Sequence, residues 1–218
     1  MTDPAIEGQV IVYGASGHGK VVADILRACS VEVAGFVDDD PERRDSSEPK
    51  ILGDGQWLAA RASREPFAAA LGIGDNVTRR AIAQRCIAAG VQLLTAVHPS
   101  ATISPSAKIS PGVVVMAHAV VNADAVIGLG AIINTAAVVE HDCHVGEFAH
   151  LSPRATIGGQ VEVGEFSWLG IGSTVIPGIK IGAGSIVGAG ATVVHDVDDG
   201  VVVIGTPARI LRRLQTRT

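Results

Sequence analysis

The sequence predicts a mixed architecture, a small N-terminal α/β unit followed by a parallel β-helix of hexapeptide repeats, and three observations carry that expectation. Up to residue 97, short β-branched runs alternate with segments at helical spacing. From Ser100 the chain falls into sixteen uninterrupted blocks of six, each with Ile, Val or Leu at its fourth place. The composition pairs 26 glycines with 3% aromatics, so the core must be built from Ala, Val and Ile in an architecture where small residues recur. The expected division is 1–97, 98–197 and 198–218, the last a closing strand with a basic tail.

In the first part, Gln9-Val10-Ile11-Val12-Tyr13 reads as a strand, Gly14 to Lys20 as a loop and Val21 to Cys29 as a helix. A second strand over Glu32 to Val37 ends in Asp38-Asp39-Asp40. A third, over Phe67 to Ile73, runs into Gly74-Asp75-Asn76, and a helix covers Val77 to Ala89. This Rossmann-like βαβ alternation puts ligand loops at the C-terminal ends of a small parallel sheet. The loop Gly14-Ala15-Ser16-Gly17-His18-Gly19-Lys20-Val21 nearly spells a Walker A motif. Val21, however, stands where a Ser or Thr hydroxyl would hold Mg²⁺, which disfavours nucleotide hydrolysis. Nor is the loop GxGxxG, which weakens a dinucleotide reading. What remains is a glycine-rich turn at a helix N-terminus, suited to a diphosphate on which no chemistry is done; the plainer alternative is a tight turn with no ligand. Asp38 and Asp39 stand ready to accept hydrogen bonds from a ribose or base, or else form a solvated acidic loop.

In the second part, the fourth places run without exception from Ile103 and Ile109 to Val187 and Val193, and the second place is usually small, as at Ala101, Ala107, Cys143, Ser173 and Ala191. Places two and four share one side of a short strand, while Gly, Asn, Pro or Ala crowd the ends where turns need them. Stacking such coils buries one continuous aliphatic column. The pattern resembles the left-handed parallel β-helix of the hexapeptide-repeat acyltransferases, in which three blocks make one coil. No block is interrupted, so substrate contacts that a projecting loop supplies in other members fall here to the N-terminal unit.

At eighteen residues per coil, the outward third places sort into three columns. Thr102, Val120, Val138, Thr156, Thr174 and Thr192 form the first. Lys108, Val126, His144, Glu162 and Lys180 form the second, which should face water. Val114, Ile132, His150, Trp168 and Ile186 form the third, an apolar stripe of the kind that marks an interface. Trimerisation, which the resemblance also implies, would cover it, leaving His144 in solvent and His150 at a subunit boundary. His141 sits at a corner within Glu140-His141-Asp142-Cys143, and one coil later the same place is Gly159. Strands stack about 4.8 Å apart, so a backbone without a side chain lies beside the imidazole. The expectation is room for a substrate chain.

Together, the loop, the Asp pair, the uninterrupted repeat and Glu140-His141-Asp142-Cys143 resemble the bacterial nucleotide-amino-sugar N-acetyltransferases over nearly the full length. The resemblance implies acetyl-CoA as cosubstrate, a nucleotide sugar as acceptor, and active sites between the subunits of a homotrimer. It makes His141 the general base and Asp142 its partner, with Glu140 the alternative, and lines the acetyl-CoA cleft with His150, Ile171 and Ala189. Asp142 and Ala189 stand where the family often has Glu and Gly. Ser16, Gly17, His18, Asp38, Asp39 and Gly74 match the positions that hold the nucleotide sugar. The closing Gly205-Thr206-Pro207-Ala208-Arg209 resembles the family's G-x-P-A-[K/R] segment, so Arg209, or Arg212-Arg213, meets the coenzyme's phosphates unless the tail is a solvated helix. The expected chemistry is direct attack of the sugar amine on the thioester, with His141 Nε2 taking the proton and the Gly159 N–H steadying the oxyanion. Cys143, at an inward place, is disfavoured as an acyl carrier.

Several classes are excluded or weakened. Apolar runs fall short of the roughly 20 residues a spanning helix needs, and residues 1–9 lack the basic-then-apolar pattern of a secretory signal. A cytoplasmic protein is the expectation. Three cysteines without a CxxC argue against a disulfide framework or a structural zinc site, and a net charge of −5 gives no footprint for nucleic acid. The γ-type carbonic anhydrases share the fold but hold zinc with a histidine pair five residues apart. None of His98, His118, His141, His144, His150 and His195 has that spacing, so no metal is expected. A non-catalytic nucleotide-sugar scaffold leaves Gly159 opposite His141 unexplained. The residues do not discriminate N- from O-acetyl transfer, or guanine from uracil.

Overall fold

The computed structural model describes residues 9–43 and 50–214; the leading stretch read above for a signal, residues 1–8, lies outside them. The chain divides into two compact units at Pro99/Ser100, and each is described by itself.

The first unit runs β1 (Gln9–Tyr13), α1 (Gly17–Ala28), β2 (Val33–Val37), β3 (Ile51–Gly53), α2 (Gly55–Ala62), β4 (Phe67–Leu71), α3 (Asn76–Ala88), β5 (Gln92–Leu93) and a short β6 (Ala96–Val97). Five strands form a parallel sheet in the order β3-β2-β1-β4-β5. Its centre is apolar on both faces, as a parallel sheet covered by helices requires: Val10 to Tyr13 and all of β4 are buried.

Helix α1 starts at Gly17 rather than Val21, so Gly17 to Lys20 are its first turn and not part of the loop. The reason is close packing. A Cβ on Gly19 would collide with the Gly14 carbonyl, one on Gly14 would come within 2.7 Å of the Gly72 oxygen, and one on Gly72 within 2.8 Å of the Gly14 oxygen. Three glycines thus let the turns after β1 and β4 press against the start of α1. Helices α2 and α3 begin at Asp54 and Asp75, whose carboxylates accept the N–H groups of Gln56 and Trp57, and of Thr78; replacing such a cap with Ala costs about 1 kcal/mol. The β3–α2 segment was not foreseen, because three strand residues and an eight-residue helix opening on glycine carry little periodic signal.

In the second unit, sixteen two-residue strands, from β7 (Thr102–Ile103) to β22 (Thr192–Val193), stack into three parallel sheets. Pairings such as Val120↔Val138↔Thr156 and Val126↔His144↔Glu162 step by eighteen residues, and the three sheets coincide with the three columns. The result is a left-handed parallel β-helix. Every fourth-place side chain from Val115 to Val193 is buried, each contributing about 1.5–3 kcal/mol of burial; Ile103 and Ile109, on the first coil, are half-buried.

The corners explain the glycines in two ways. The first place of each block, at fourteen successive corners from Gly112 to Gly190, is left-handed with φ between 54° and 75°. At the fifth place the constraint is instead space, since a Cβ on Gly128, Gly146 or Gly164 would approach the next coil's backbone to 2.5–2.7 Å.

The third column is less open than expected: Val114 and Ile132 are fully buried within the chain, Ile186 is half-buried, and Trp168 alone keeps 48% exposure. After the last coil, β23 (Val201–Ile204) joins the face that carries Ile186, and β24 (Arg209–Arg213) pairs with it antiparallel. The tail is therefore an exposed strand, not a solvated helix. No helix among the described residues is long and apolar enough to cross a membrane.

Candidate active site

His141 occupies the sixth place of its block, a corner, and Asp142 follows at the left-handed first place with φ 57°, a conformation Asp tolerates better than most residues. Asp142 Oδ2 lies 2.8 Å from His141 Nδ1. That hydrogen bond, with the nearby charges of Asp142 and Glu140, raises the imidazole above its ordinary basicity. Asp142, not Glu140, is the direct partner. The bond fixes the proton on Nδ1, and nothing else among the described residues bonds the ring, so Nε2 presents a lone pair.

Gly159 stacks on this corner, and a Cβ there would lie 2.6 Å from both Nε2 and Cε1 of His141. The missing side chain therefore makes room for the imidazole itself. This corrects the expectation that the gap accepts substrate: the ring has swung over the glycine and fills it. The Gly159 carbonyl accepts from Gly178, while no acceptor among the described residues takes its N–H. Four other corners carry proline at the same place (Pro105, Pro111, Pro153 and Pro177), so the ladder between coils does not use this donor. A basic nitrogen and an unspent N–H at one corner can take a proton from a nucleophile and steady a developing oxyanion. Cys143 is buried, its Sγ lies 3.0 Å from the Gly158 carbonyl, and burial raises its thiol, which makes it a poor nucleophile.

His150, Ile171 and Ala189 do not join His141 within one chain. Ile171 and Ala189 share a different corner of the prism, stacked eighteen residues apart and both exposed. His150 is buried on the third face, its ring stacked on Trp168 with centroids 5.8 Å apart. Asn134, which sequence reasoning missed, accepts the Thr135 N–H on Oδ1 and so turns its amide toward His150 Nε2 at 3.0 Å. Its spacing was a usable signal, since a fifth place faces outward beside the third place one coil on. Arg209 stands exposed on β24, its guanidinium 2.8 Å from the Ala208 carbonyl.

In the first unit, Ser16 is the N-cap of α1, extended at ψ −174° and with no side-chain cap bond. Cβ atoms on Gly17 and Gly74 would meet nothing, so the first residue of α1 and the loop after β4 are both open in front. His18 is held neutral: burial, with the Arg79 guanidinium nearby, pushes it down to about 4. The two aspartates differ from expectation, because their oxygens already serve the protein. Asp38 accepts the N–H of Ala15 at 2.7 Å and of Asp40 at 2.9 Å, tying the glycine-rich turn to the end of β2. Asp39 accepts from the Tyr13 hydroxyl, the Gly55 N–H and Arg85. Partial burial opposes the shift, but these hydrogen bonds hold its carboxyl below the usual range.

Sequence reading also missed Arg79, which is fully buried and donates to the carbonyls of Ile73 and Gly74 and to Asn76, shaping the Gly74 loop from behind. Burial brings it down to about 10, still charged at neutral pH. Among the described residues no group of three or more His, Cys, Asp or Glu is placed to hold a metal ion.

Residues 9–86 match the PglD N-terminal domain family, and residues 160–195 match the bacterial transferase hexapeptide (six repeats) family. The structure is similar to that of the H141N variant of perosamine N-acetyltransferase from Caulobacter crescentus in complex with CoA and GDP-perosamine, at 44% identity over 96% of this chain and 100% of that one, with a TM-score of 0.90. It is similar to the acetyltransferase domain of PglB from Neisseria gonorrhoeae in complex with acetyl coenzyme A, at 40% identity over 93% and 98% of the two chains and a TM-score of 0.86. WeeI from Acinetobacter baumannii matches at 27% identity over 93% and 99%, with a TM-score of 0.84. Both units, in their order and nearly whole, recur in these relatives, and the chain belongs to the bacterial nucleotide-amino-sugar N-acetyltransferases of the hexapeptide-repeat superfamily.

Proposed function

We propose that this chain transfers the acetyl group of acetyl-CoA to the amino group of a nucleotide-linked amino sugar of the GDP-perosamine type. The observation that carries the reading is the His141–Asp142 pair with its ring seated over Gly159. The sugar amine attacks the thioester carbonyl, and the Gly159 N–H donates to the oxyanion of the tetrahedral intermediate. His141 Nε2 takes the ammonium proton, collapse expels the coenzyme A thiolate, and the imidazolium returns the proton to sulfur. Base catalysis of this kind is worth about 10²- to 10⁴-fold. Asp142 fixes the tautomer and raises the basicity of the ring.

The nucleotide is held at the start of α1 by Ser16, Gly17 and His18, with the Gly74 loop opposite. Asp38 and Asp39 act by fixing the backbone around it. A neutral His18 at a helix N-terminus can donate to the diphosphate without placing a second positive charge beside Arg79. His150, Ile171 and Ala189 line the acetyl-CoA cleft, and Arg209 meets the coenzyme's phosphates. These groups sit on a different face and corner from His141, so the reading needs a second subunit to complete the site, and a homotrimer supplies one at each of three clefts. A cytoplasmic location is part of this reading.

A thiol-release assay with acetyl-CoA against GDP- and UDP-linked amino and hydroxy sugars tests this. Turnover of GDP-linked amino sugars above the others is expected; turnover only of hydroxy sugars, or of none, overturns the acceptor assignment. Sedimentation at micromolar concentration should give a trimer, and an active monomer would remove the shared cleft.

A further inference from the structure

Four elements of the first unit meet at one polar cluster, in which Asp39 has been given a role but Tyr13 and Arg85 have not. The Tyr13 hydroxyl, at the end of β1, lies 3.1 Å from each oxygen of Asp39, just past β2. Arg85, on α3, donates from one Nη1 to Tyr13 at 2.8 Å and to Asp39 at 2.7 Å. The Gly55 N–H, at the start of α2, donates to Asp39 at 2.9 Å. Gly55 must be glycine for this to form, since a Cβ there would strike the Arg85 guanidinium and lie 2.8 Å from the Tyr13 oxygen. Tyr13 is buried, whereas Arg85 and Asp39 each keep nearly half their side chains in solvent, at 46% and 47%.

The location of the cluster is specific. Asp39 follows directly on Asp38, whose carboxylate holds the Ala15 N–H and thereby sets the turn leading into Ser16 and Gly17. On its solvent side, a 420 Å³ cavity opens, lined by Asp39, Asp54, Gly55, Gln56, Ala59 and Arg85. A surface ion pair of this exposure does little for stability. Held by three further hydrogen bonds at the mouth of a ligand loop, it can instead define that loop's geometry before the ligand arrives, which lowers the cost of binding.

We infer that Arg85 is a positioning residue for nucleotide recognition, acting through Tyr13 and Asp39 to set the Asp38–Ala15 contact and the wall of the adjoining cavity. This rests on the proposed reading of the first unit as the nucleotide-sugar site. Arg85→Met removes the charge and both donated bonds, Arg85→Lys keeps a charge within reach of Asp39, and Tyr13→Phe removes the bridging hydroxyl alone.

The test measures GDP binding by calorimetry, and steady-state kinetics with GDP-linked amino sugar and acetyl-CoA varied in turn, on the full chain with thermal melts alongside. Arg85→Met should raise the GDP dissociation constant and the KM for the nucleotide sugar by roughly 10- to 100-fold, with kcat, the KM for acetyl-CoA and the melting temperature nearly unchanged. Arg85→Lys should recover part of the loss, and Tyr13→Phe should fall between. Equal GDP binding by the parent and Arg85→Met overturns the inference while leaving the nucleotide site standing. A lowered melting temperature with unchanged nucleotide affinity shows a structural role and also overturns it. A parent chain that binds no GDP or UDP removes the underlying reading instead.

Discussion

The two units handle polar groups in opposite ways. In the α/β unit, the functional loops are shaped from behind by side chains that are buried or mutually engaged: Arg79 is fully buried under the Gly74 loop, His18 is kept neutral, and Asp38 spends both oxygens on backbone N–H groups. In the β-helix the interior is mostly aliphatic, with small buried serines such as Ser167 and Ser185 donating to backbone carbonyls, and His141 stands outside on a corner, where a neighbouring carboxylate raises its basicity. Burial and charge pairing move the two histidines in opposite directions, His18 down and His141 up. A binding site for a charged ligand benefits from rigid, preset backbone, whereas a proton acceptor must be basic and reachable. On the proposed reading, the two folds of the chain meet the two needs separately.

The contrast breaks most sharply at His141. His141→Ala should lower kcat by about 10²- to 10⁴-fold with nucleotide affinity unchanged, because the hydrogen bonds that shape the proposed nucleotide loops come from Asp38 and Arg79 of their own unit. A variant that keeps full acetyl transfer would end the base assignment. Gly159→Ala should approach the same loss, about 10²- to 10³-fold, by a different route: the new methyl displaces the imidazole rather than deleting it. A crystal structure of that variant should show the ring rotated off the corner, and full activity with the ring in place would contradict the packing argument.

The difference between the units also decides what can be read without coordinates. In the β-helix each coil repeats one local rule, a buried aliphatic residue every six and a left-handed corner, so the strands from Thr102 to Val193 and their columns follow from spacing alone. The pairing of His141 with Gly159 was legible for the same reason, although which group fills the gap was not. That depends on a rotamer, and rotamers answer to neighbours rather than to period. In the α/β unit the decisive contacts join residues far apart, such as Tyr13 with Arg85 or Gly14 with Gly72. No local pattern announces them. Hence Asp38 and Asp39 read as ligand groups from their position after a strand, while the hydrogen bonds that occupy them came from turns and helices that the sequence leaves unpaired.

The buried histidine yields a stability test. His18 is held near 4 in the folded chain and returns to about 6.5 when unfolded, so between those values the unfolded state binds more protons. Its contribution is fully present above about pH 6.5 and is lost as pH falls toward 4, by up to about 3 kcal/mol. Urea unfolding of a Trp168→Phe background, in which Trp57 reports the first unit, should show that decline. Adding His18→Gln should flatten it. Equal slopes with and without His18 would mean that the site admits water on protonation, and the contrast with the corner histidine would lose its basis.

The smallest effect is expected at Asp142, and it bears on whether the corner is as open in the assembly as in one chain. His141 and Asp142 are 57% and 51% exposed, and solvent screens a pair of that exposure. Because the carboxylate raises the imidazole, Asp142→Asn should lower it. The acid limb of the kcat profile, where His141 becomes protonated and inactive, should then move to lower pH. At neutral pH the loss should be only about two- to fivefold, since the amide can still accept the Nδ1 proton and keep the tautomer. A much larger loss would mean that a second subunit covers the corner and removes the screening. An acid limb that stays where it was would assign the proton acceptor to another group.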